Sequence, residues 1–180
     1  ANEAPPAVVS IFLGDELTEV LKSIENDTYF TSHGAVQMDI GATVLPHFVK
    51  DNTDRNRTSP FAFTGNKFEF RMLGSAASVA NPNIVLNTAV AEALDQFAKE
   101  LDGVAPEDME HAVHELIKRA IKKHKRVIFN GNGYTDEWIE EAKKRGLYNL
   151  KSTPDALPMW IAQKNIDLFT SHHIFSKEEI

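Results

Sequence analysis

The chain has 180 residues, of which 42% are hydrophobic and 25% charged, values that are ordinary for a folded domain. Its net charge of −7, from 19 basic and 26 acidic residues, argues against a nucleic-acid partner because no overall cationic field attracts a phosphate backbone. Zero cysteines exclude disulfides and thiolate metal sites and fit a cytoplasmic location. No apolar run approaches membrane-spanning length, so we expect no membrane partner.

The first part of the chain, up to about Met72, is predicted to contain strands, loops and one helix. Apolar residues recur at helical spacing over residues 15–24, which predicts a helix there. Residues 37–40 and 68–72 alternate in the manner of half-buried strands. Residues 41–60 are rich in Asn, Asp, Pro and Arg without a period, which predicts a long functional loop.

From Pro82 onward the pattern becomes helical. Asn81 is predicted to cap the first of these helices, with Pro82 at its first position and Gly103 at its end. One face of this helix is predicted to be a buried apolar stripe, which consists of Leu86, Val90, Leu94, Phe97 and Leu101.

Three more helices are predicted along the rest of the chain. One covers residues 106 to about 124, and its acidic start and basic end complement the helix dipole. The basic residues at its end are therefore interpreted as a solvated helix end and not as a nucleic-acid patch. Another covers residues 135–145 and is closed by Gly146. The last begins at Thr153-Pro154. Core packing is predicted for Trp138 and for Leu157, Trp160 and Ile161 of the last helix.

Residues 67–71 read Lys-Phe-Glu-Phe-Arg. In an extended strand Lys67, Glu69 and Arg71 point to one face, and the two phenylalanines point to the other, buried one. With Arg55 and Arg57 a short loop upstream, one carboxylate stands among four cations, a set that suits a hard metal ion and phosphate. A salt-bridged strand face of an ordinary domain is the alternative, and the pattern alone leaves both open.

The same segments resemble a known enzyme family. Residues 56–63, Asn-Arg-Thr-Ser-Pro-Phe-Ala-Phe, and residues 65–71, Gly-Asn-Lys-Phe-Glu-Phe-Arg, resemble the catalytic region of glutamine synthetase, most closely its large type III form. Residues 2–6, Asn-Glu-Ala-Pro-Pro, resemble the mobile glutamate flap of that family. Asn81-Pro82-Asn83 resembles the family's Asn-Pro motif, and the type III resemblance continues through residues 129–134.

This resemblance implies an α+β fold that is part of a glutamine synthetase catalytic domain, with antiparallel strands followed by supporting helices. Residues 1–75 would hold the flap and the active-site strands, and residues 76–180 mostly helical support. The family's subunits are far longer than this chain. We therefore expect a fragment that is inactive alone, with most metal ligands upstream of Ala1.

The activity that the resemblance implies is the ATP-dependent ligation of ammonia to glutamate through a γ-glutamyl phosphate. Its cofactors would be ATP and Mg²⁺ (or Mn²⁺), its substrates glutamate and ammonia, and its assembly a homo-oligomer of stacked rings.

The resemblance also implies roles for individual residues. Glu69 matches the family's ligand to the ion that bridges the ATP phosphates, and Arg71 matches the arginine that holds the transferred phosphoryl or the glutamyl carboxylate. Lys67 stands where the family usually has an arginine that touches nucleotide phosphate. Arg57 matches the arginine that neutralises the transferred phosphate. Glu3 matches the flap glutamate that helps to deprotonate ammonium.

The chain departs from the family pattern at one position. Shorter family members carry a second arginine where this chain has Ala62. Either Arg55 substitutes for this second arginine in binding the nucleotide, or Arg57 binds the nucleotide and Arg55 neutralises the transferred phosphate. Both assignments stay open.

Two other functions remain open. A γ-glutamyl–polyamine ligase or another carboxylate–amine ligase would keep Glu69 and Arg71 but change the flap, and the Asn-Glu-Ala-Pro-Pro sequence around Glu3 favours ammonia. The second alternative is a non-catalytic assembly or binding fragment.

Overall fold

The computed structural model describes residues 8–28, 37–38, 48–49, 58–71, 74 and 76–180, with backbone only at residues 37–38 and 48–49. The strands are β1 (Ile11–Phe12), β2 (Gln37–Met38), β3 (Phe48–Val49), β4 (Phe61–Phe63) and β5 (Phe68–Phe70). The α-helices are α1 (Gly14–Asn26), α2 (Ala80–Leu101), α3 (Met109–His124), α4 (Asp136–Lys144), α5 (Thr153–Trp160) and α6 (Gln163–Ser171), and a 3₁₀ turn covers Lys125–Val127. These elements confirm the predicted α+β class.

The described residues form two compact units. The strand unit contains the described residues between 8 and 71 together with residues 117–149, and the helical unit contains residues 74, 76–116 and 150–180. The predicted division of the chain at residue 75 concerns function and stays a prediction.

The sheet of the strand unit is built around β4. β5 pairs with it antiparallel, with Phe61 opposite Phe70, Ala62 opposite Glu69 and Phe63 opposite Phe68. β1 pairs with the other edge of β4 in the parallel direction. An isolated parallel bridge then joins Ile11 to Ile128, so the strand unit contains parallel pairings beside the expected antiparallel one. A separate antiparallel pair joins β2 to β3. β3 lies within residues 41–60, which were predicted to form a long loop.

The core of the strand unit lies under α4. Val8, Trp138 and Ala142 are buried, and half-buried Phe129 and Leu147 pack against them. The rings of Phe129 and Trp138 stack with centroids 3.9 Å apart. The predicted core position of Trp138 is therefore confirmed. The Thr135 side chain accepts a bond from the Trp138 N–H, which gives α4 its cap close to the predicted start.

The helical unit is organised around α6, which contacts both α2 and α5. Phe169 is buried, and its ring lies 5.2 Å from that of Trp160 and 5.5 Å from that of Phe175. α6 was not predicted from the sequence, because its start at Gln163 has neither a side-chain cap nor an acidic first turn.

The predicted buried stripe of α2 is wrong at its centre. Leu86, Phe97 and Leu101 are half-buried, but Val90 and Leu94 are 56% and 60% exposed. In α5 and just after it, Leu157 and Ile161 are likewise 59% and 61% exposed. Helical periodicity shows which face is apolar, but it does not show whether another element covers that face.

Two predicted helix starts also differ. α2 begins at Ala80, where the Ser78 hydroxyl accepts a bond from the Ala80 N–H, so Asn81 lies inside the helix and is not its cap. α3 begins at Met109, since residues 106–108 form a turn. No helix in the described part of the chain combines the length and apolar character that a membrane crossing requires.

Candidate active site

The predicted charged residues of the β4–β5 hairpin are Glu69 within β5, Lys67 directly before it and Arg71 directly after it. The turn between the two strands is closed by the Thr64 N–H, which donates to the Lys67 carbonyl at 2.8 Å. Gly65 in this turn has a φ of 96°, a conformation that favours glycine. Beyond β5 the Arg71 N–H donates to the Pro60 carbonyl at 2.7 Å. These bonds hold the backbone on both sides of Glu69.

The structure brings Lys67, Glu69 and Arg71 together. The Arg71 Nη2 donates to Glu69 Oε2 at 3.0 Å, and the Lys67 Nζ lies 3.6 Å from Oε1. The Arg71 side chain is 20% exposed, whereas that of Lys67 is 66% exposed. The predicted association of the three side chains is therefore confirmed, and each carboxylate oxygen has a different cation beside it.

This arrangement lowers the pKa of Glu69. The largest cause is the hydrogen bond from Arg71, which favours the charged form, and the charges of Arg71 and Lys67 act in the same direction. Partial desolvation opposes them. The carboxylate is therefore ionised at neutral pH, which is the state that a hard divalent cation requires of an oxygen ligand. Glu69 belongs to no cluster of three or more candidate ligands among the described residues.

The aromatic face of the hairpin differs from the prediction. Phe70 is half-buried, but Phe68 is 48% exposed, so its predicted burial is wrong. The Phe68 ring stacks on that of Phe61, with centroids 5.3 Å apart, and lies tilted against that of Phe63, with centroids 5.2 Å apart. These contacts with β4 cover part of the ring and leave the rest exposed.

The face that carries Glu69 is closed beside it. Ala62 lies directly opposite Glu69 across the two strands and is completely buried. Neighbouring Ser59 is also completely buried and Pro60 is buried. No space therefore surrounds the position at which shorter family members carry their second arginine.

A loop from the helical half of the sequence holds this segment in place. The Gly133 N–H donates to the Thr58 carbonyl at 2.8 Å. A Cβ atom at Gly133 would lie 2.8 Å from that same oxygen, so only glycine permits this approach. The Asn-Gly-Asn-Gly sequence at 130–133 was the available signal for a close backbone contact.

Asn130 anchors the same loop to α1. Its Oδ1 accepts bonds from the Leu13 and Gly14 N–H groups at 3.0 and 3.2 Å, and its Nδ2 donates to the Thr18 hydroxyl at 2.9 Å. A side chain 116 residues away thus supplies the cap that α1 lacks locally. The sequence offered no indication of this contact.

Three predicted site residues, Glu3, Arg55 and Arg57, lie outside the described residues, and their roles stay predictions. The structure does describe the residues that directly follow Arg57. There the Thr58 carbonyl accepts a bond from the Gly133 N–H, and the Pro60 carbonyl accepts one from the Arg71 N–H. The roles assigned to Lys67, Glu69 and Arg71 also stay predictions, although their geometry is known.

Comparisons with known proteins show which proteins the chain is similar to. Residues 112–180 match the glutamine synthetase C-terminal domain. The chain is 52% identical over 184 residues to a glutamine synthetase of Butyrivibrio fibrisolvens and 50% identical over 181 residues to a type-3 glutamine synthetase of Dictyostelium discoideum. It is 38% identical over 186 residues to a glutamine synthetase of Bacteroides fragilis. The matches cover 99–100% of this chain but 25% of each relative, so the chain spans about a quarter of their length. Over its whole length the chain is therefore similar to part of these glutamine synthetases, the family that its motifs resemble.

Proposed function

We propose that this chain supplies part of the active site of an ATP-dependent glutamate–ammonia ligase, which makes glutamine. The names of the relatives and the match to the C-terminal domain support this activity. The observation that carries it is the Glu69 carboxylate, ionised and held between Lys67 and Arg71 on a strand end whose backbone is fixed on both sides. A fixed carboxylate beside fixed cations suits phosphoryl transfer, which needs positioning and charge neutralisation.

Glu69 would be one ligand to Mg²⁺ or Mn²⁺. Its low pKa and partial exposure fit this role, since a hard ion prefers an ionised oxygen that it can reach from solvent. Bound there, the ion would neutralise charge on the phosphates of ATP. The remaining ligands would come from parts of the enzyme beyond the described residues.

The cations would divide the phosphate contacts between them. Arg71, which also bonds to Glu69, has five N–H donors in a planar fork, a shape that suits a two-pronged contact with phosphoryl or carboxylate oxygens. Lys67, which is more exposed, would contact a nucleotide phosphate as a point charge. Arg57 would neutralise the transferred phosphoryl group, with Arg55 beside it at the nucleotide.

The reaction would take place in two steps. A γ-carboxylate oxygen of glutamate attacks the γ-phosphorus of ATP, ADP leaves, and γ-glutamyl phosphate forms. Ammonia then attacks the acyl carbon and inorganic phosphate leaves, which gives glutamine. Glu3 would accept the proton that ammonium loses before this attack, as a general base. Closure of the flap that carries Glu3 would exclude water, which would otherwise hydrolyse the acyl phosphate.

The test is ATP- and ammonia-dependent glutamine formation by the complete enzyme that contains this chain. We expect activity in the parent and a loss of about 10²-fold or more in Glu69→Gln, which keeps the shape but removes the charge. Glu140→Gln, at an exposed position of α4, is the matched control and should retain activity. Efficient ligation of a polyamine in place of ammonia would identify the alternative ligase. Absence of ligation in the parent would contradict the proposal.

We also propose that the complete enzyme is a cytoplasmic homo-oligomer of stacked rings, as the family resemblance implies. Light scattering of the purified enzyme measures its subunit number, and fractionation of cells measures its compartment. A monomer, or an enzyme recovered outside the cytoplasm, would contradict this part.

A further inference from the structure

The strand unit contains a hollow that is separate from the Lys67–Glu69–Arg71 set. It lies between α1, the end of α3 and the segment 125–130, and Arg145 closes one side. Its volume is about 620 Å³. Sites for small organic ligands have volumes of roughly 300–1,000 Å³, so this hollow has the size of a small-molecule site.

One wall of the hollow is apolar and firmly supported. It is formed by half-buried Leu21, Ile121, Ile128 and Phe129. The Phe129 ring stacks on the ring of buried Trp138. The Arg145 guanidinium also lies over the Trp138 ring, 5.2 Å from its centroid. A wall backed in this way offers a fixed surface to a planar apolar group.

The rim of the hollow is strongly cationic. Six lysines and arginines line it, against the single carboxylate of Glu25. Two of the six have counter-charges, since Lys125 pairs with Glu25 at 2.6 Å and Arg145 with Glu141 at 2.6 Å. The other four cations are Lys22, Lys122, Lys123 and Arg126. None of them forms an ion pair with any residue in the described part of the chain.

Helix dipoles do not explain this convergence. The negative end of α3 favours Lys122 and Lys123 in its last turn. Lys22, however, belongs to α1, whose last turn carries no basic residue, and Arg126 lies beyond the end of α3. In a chain with a net charge of −7, four cations from separate elements without counter-charges indicate an anion that is not part of the protein.

The neutral polar groups of the hollow already have partners. The Thr18 hydroxyl donates to the Gly14 carbonyl at 2.6 Å and accepts from Asn130. The Asn130 amide oxygen is bonded to the start of α1. The ligand would therefore be recognised by charge and by apolar contact.

We propose that this hollow binds a small phosphate-bearing molecule with a planar apolar body. The phosphate would lie among Lys22, Lys122, Lys123 and Arg126 at the rim, and the body would lie against Ile121, Ile128 and Phe129. A phosphate carries two negative charges at neutral pH and accepts several hydrogen bonds, which matches several cations on flexible stems.

The test uses 1-naphthyl phosphate as the probe, with the purified 180-residue chain and isothermal titration calorimetry. Inorganic phosphate supplies the charge alone and 1-naphthol the body alone. We expect the probe to bind about tenfold or more tightly than either part, since each contact contributes to one affinity. Chemical-shift changes in nuclear magnetic resonance spectra should concentrate at residues 18–25 and 121–130.

Variants then locate the charge contact. We expect Lys122→Gln combined with Arg126→Gln to weaken probe binding about tenfold, while the single change Lys22→Gln has a smaller effect in the same direction. All three side chains are exposed, so folding should survive. Lys151→Gln, an exposed cation of the helical unit, is the matched control and should bind as the parent does.

The proposal is overturned if the double variant binds the probe as well as the parent, if inorganic phosphate binds as tightly as the probe, or if the parent fails to bind the probe at millimolar concentration. Glutamine formation plays no part in these measurements. A failure here leaves the proposed ligase activity intact, and a failure of the ligase assay leaves this site intact.

Discussion

At the scale of single residues, the two cations beside Glu69 are not equivalent. Arg71 is mostly buried and donates a hydrogen bond of 3.0 Å to the carboxylate, whereas Lys67 is mostly exposed and lies 3.6 Å away. An exposed lysine gains little from such a pair because solvent screens the charge and the flexible stem loses entropy. Arg71 therefore orients Glu69 and is the largest cause of its lowered pKa, whereas Lys67 is held only loosely beside the carboxylate.

This difference predicts unequal results for a pair of exchanges in the complete enzyme. Arg71→Lys should lower turnover by about 10²–10³-fold, because an ammonium cannot reproduce the planar fork that holds Glu69 and that, in the proposed function, would also hold the transferred group. Lys67→Arg should cost far less, since a guanidinium retains the charge at this exposed position. Steady-state turnover at saturating ATP and glutamate measures both. Equal losses would mean that the roles of the two cations are assigned wrongly.

At the scale of elements, the loop at residues 129–133 joins three parts of the strand unit. Asn130 caps α1, Phe129 stacks on Trp138 of α4, and Gly133 is bonded to Thr58 before β4. The loop thus fixes the backbone at Thr58, the residue that follows Arg57 in the sequence.

Replacing the glycine in this loop should therefore destabilise the strand unit. In Gly133→Ala the new Cβ meets a backbone oxygen at 2.8 Å, and the bond to Thr58 must lengthen. We expect a loss of about 3 kcal/mol in the free energy of unfolding, from overpacking and a weakened hydrogen bond. Urea unfolding of the 180-residue chain measures it. Glu140→Ala is the control, because it introduces an alanine at an exposed position of nearby α4. It should change the free energy of unfolding by no more than about 0.5 kcal/mol. Equal stability of the two variants would show that the backbone adjusts freely.

A second element-scale prediction concerns the contact between Glu92 of α2 and His172, which directly follows α6. The Glu92 carboxylate lies 2.7 Å from His172 Nε2, and this contact is the largest cause of the lowered pKa of Glu92, followed by a bond from Gln96. Because the folded-state pKa is below the ordinary value of 4.5, Glu92 stabilises the folded state above that pH. This contribution is lost as the pH falls through the lowered folded-state pKa.

The measurement is the urea midpoint of the 180-residue chain between about pH 7 and pH 3, compared with that of Glu92→Gln. We expect the parent to be more stable at neutral pH and the difference to disappear in acid. Glu140→Gln is the control and should follow the parent at each pH. A constant difference between parent and Glu92→Gln across the range would contradict the assignment to this carboxylate.

At the scale of the whole molecule, part of the apolar surface of the chain is exposed to solvent. Val90 and Leu94 of α2 are more than half exposed, and the relatives are about four times as long as the matched segment. Among the described residues, Glu69 also belongs to no cluster of three or more candidate metal ligands. A divalent ion held by one carboxylate binds weakly, because it usually requires about six oxygen ligands.

We therefore expect the purified 180-residue chain to form no glutamine above background. The assay supplies ATP, Mg²⁺, glutamate and ammonia, and the complete enzyme under the same conditions is the positive control. Glutamine formation by the chain alone would mean that its own residues complete the site, and the need for further ligands would then be wrong.

The sequence by itself determined the features that depend on neighbouring residues. Alternation over 67–71 predicted the association of Lys67, Glu69 and Arg71, because a strand places every second side chain on one face. Thr135 and Gly146 marked the ends of α4, since capping depends on a few adjacent residues. The family resemblance, which rests on short motifs, was confirmed by the relatives.

Only the tertiary structure decided which surfaces are covered and which distant groups meet. The exposure of Phe68, Val90 and Leu94, the parallel pairing of β1 with β4, and the contacts of Asn130 and Gly133 all depend on residues far apart in the chain. A local pattern determines which side of an element is apolar or charged, because that side follows from backbone geometry. What lies against that side depends on the packing of the whole unit, to which residues more than 100 positions apart contribute.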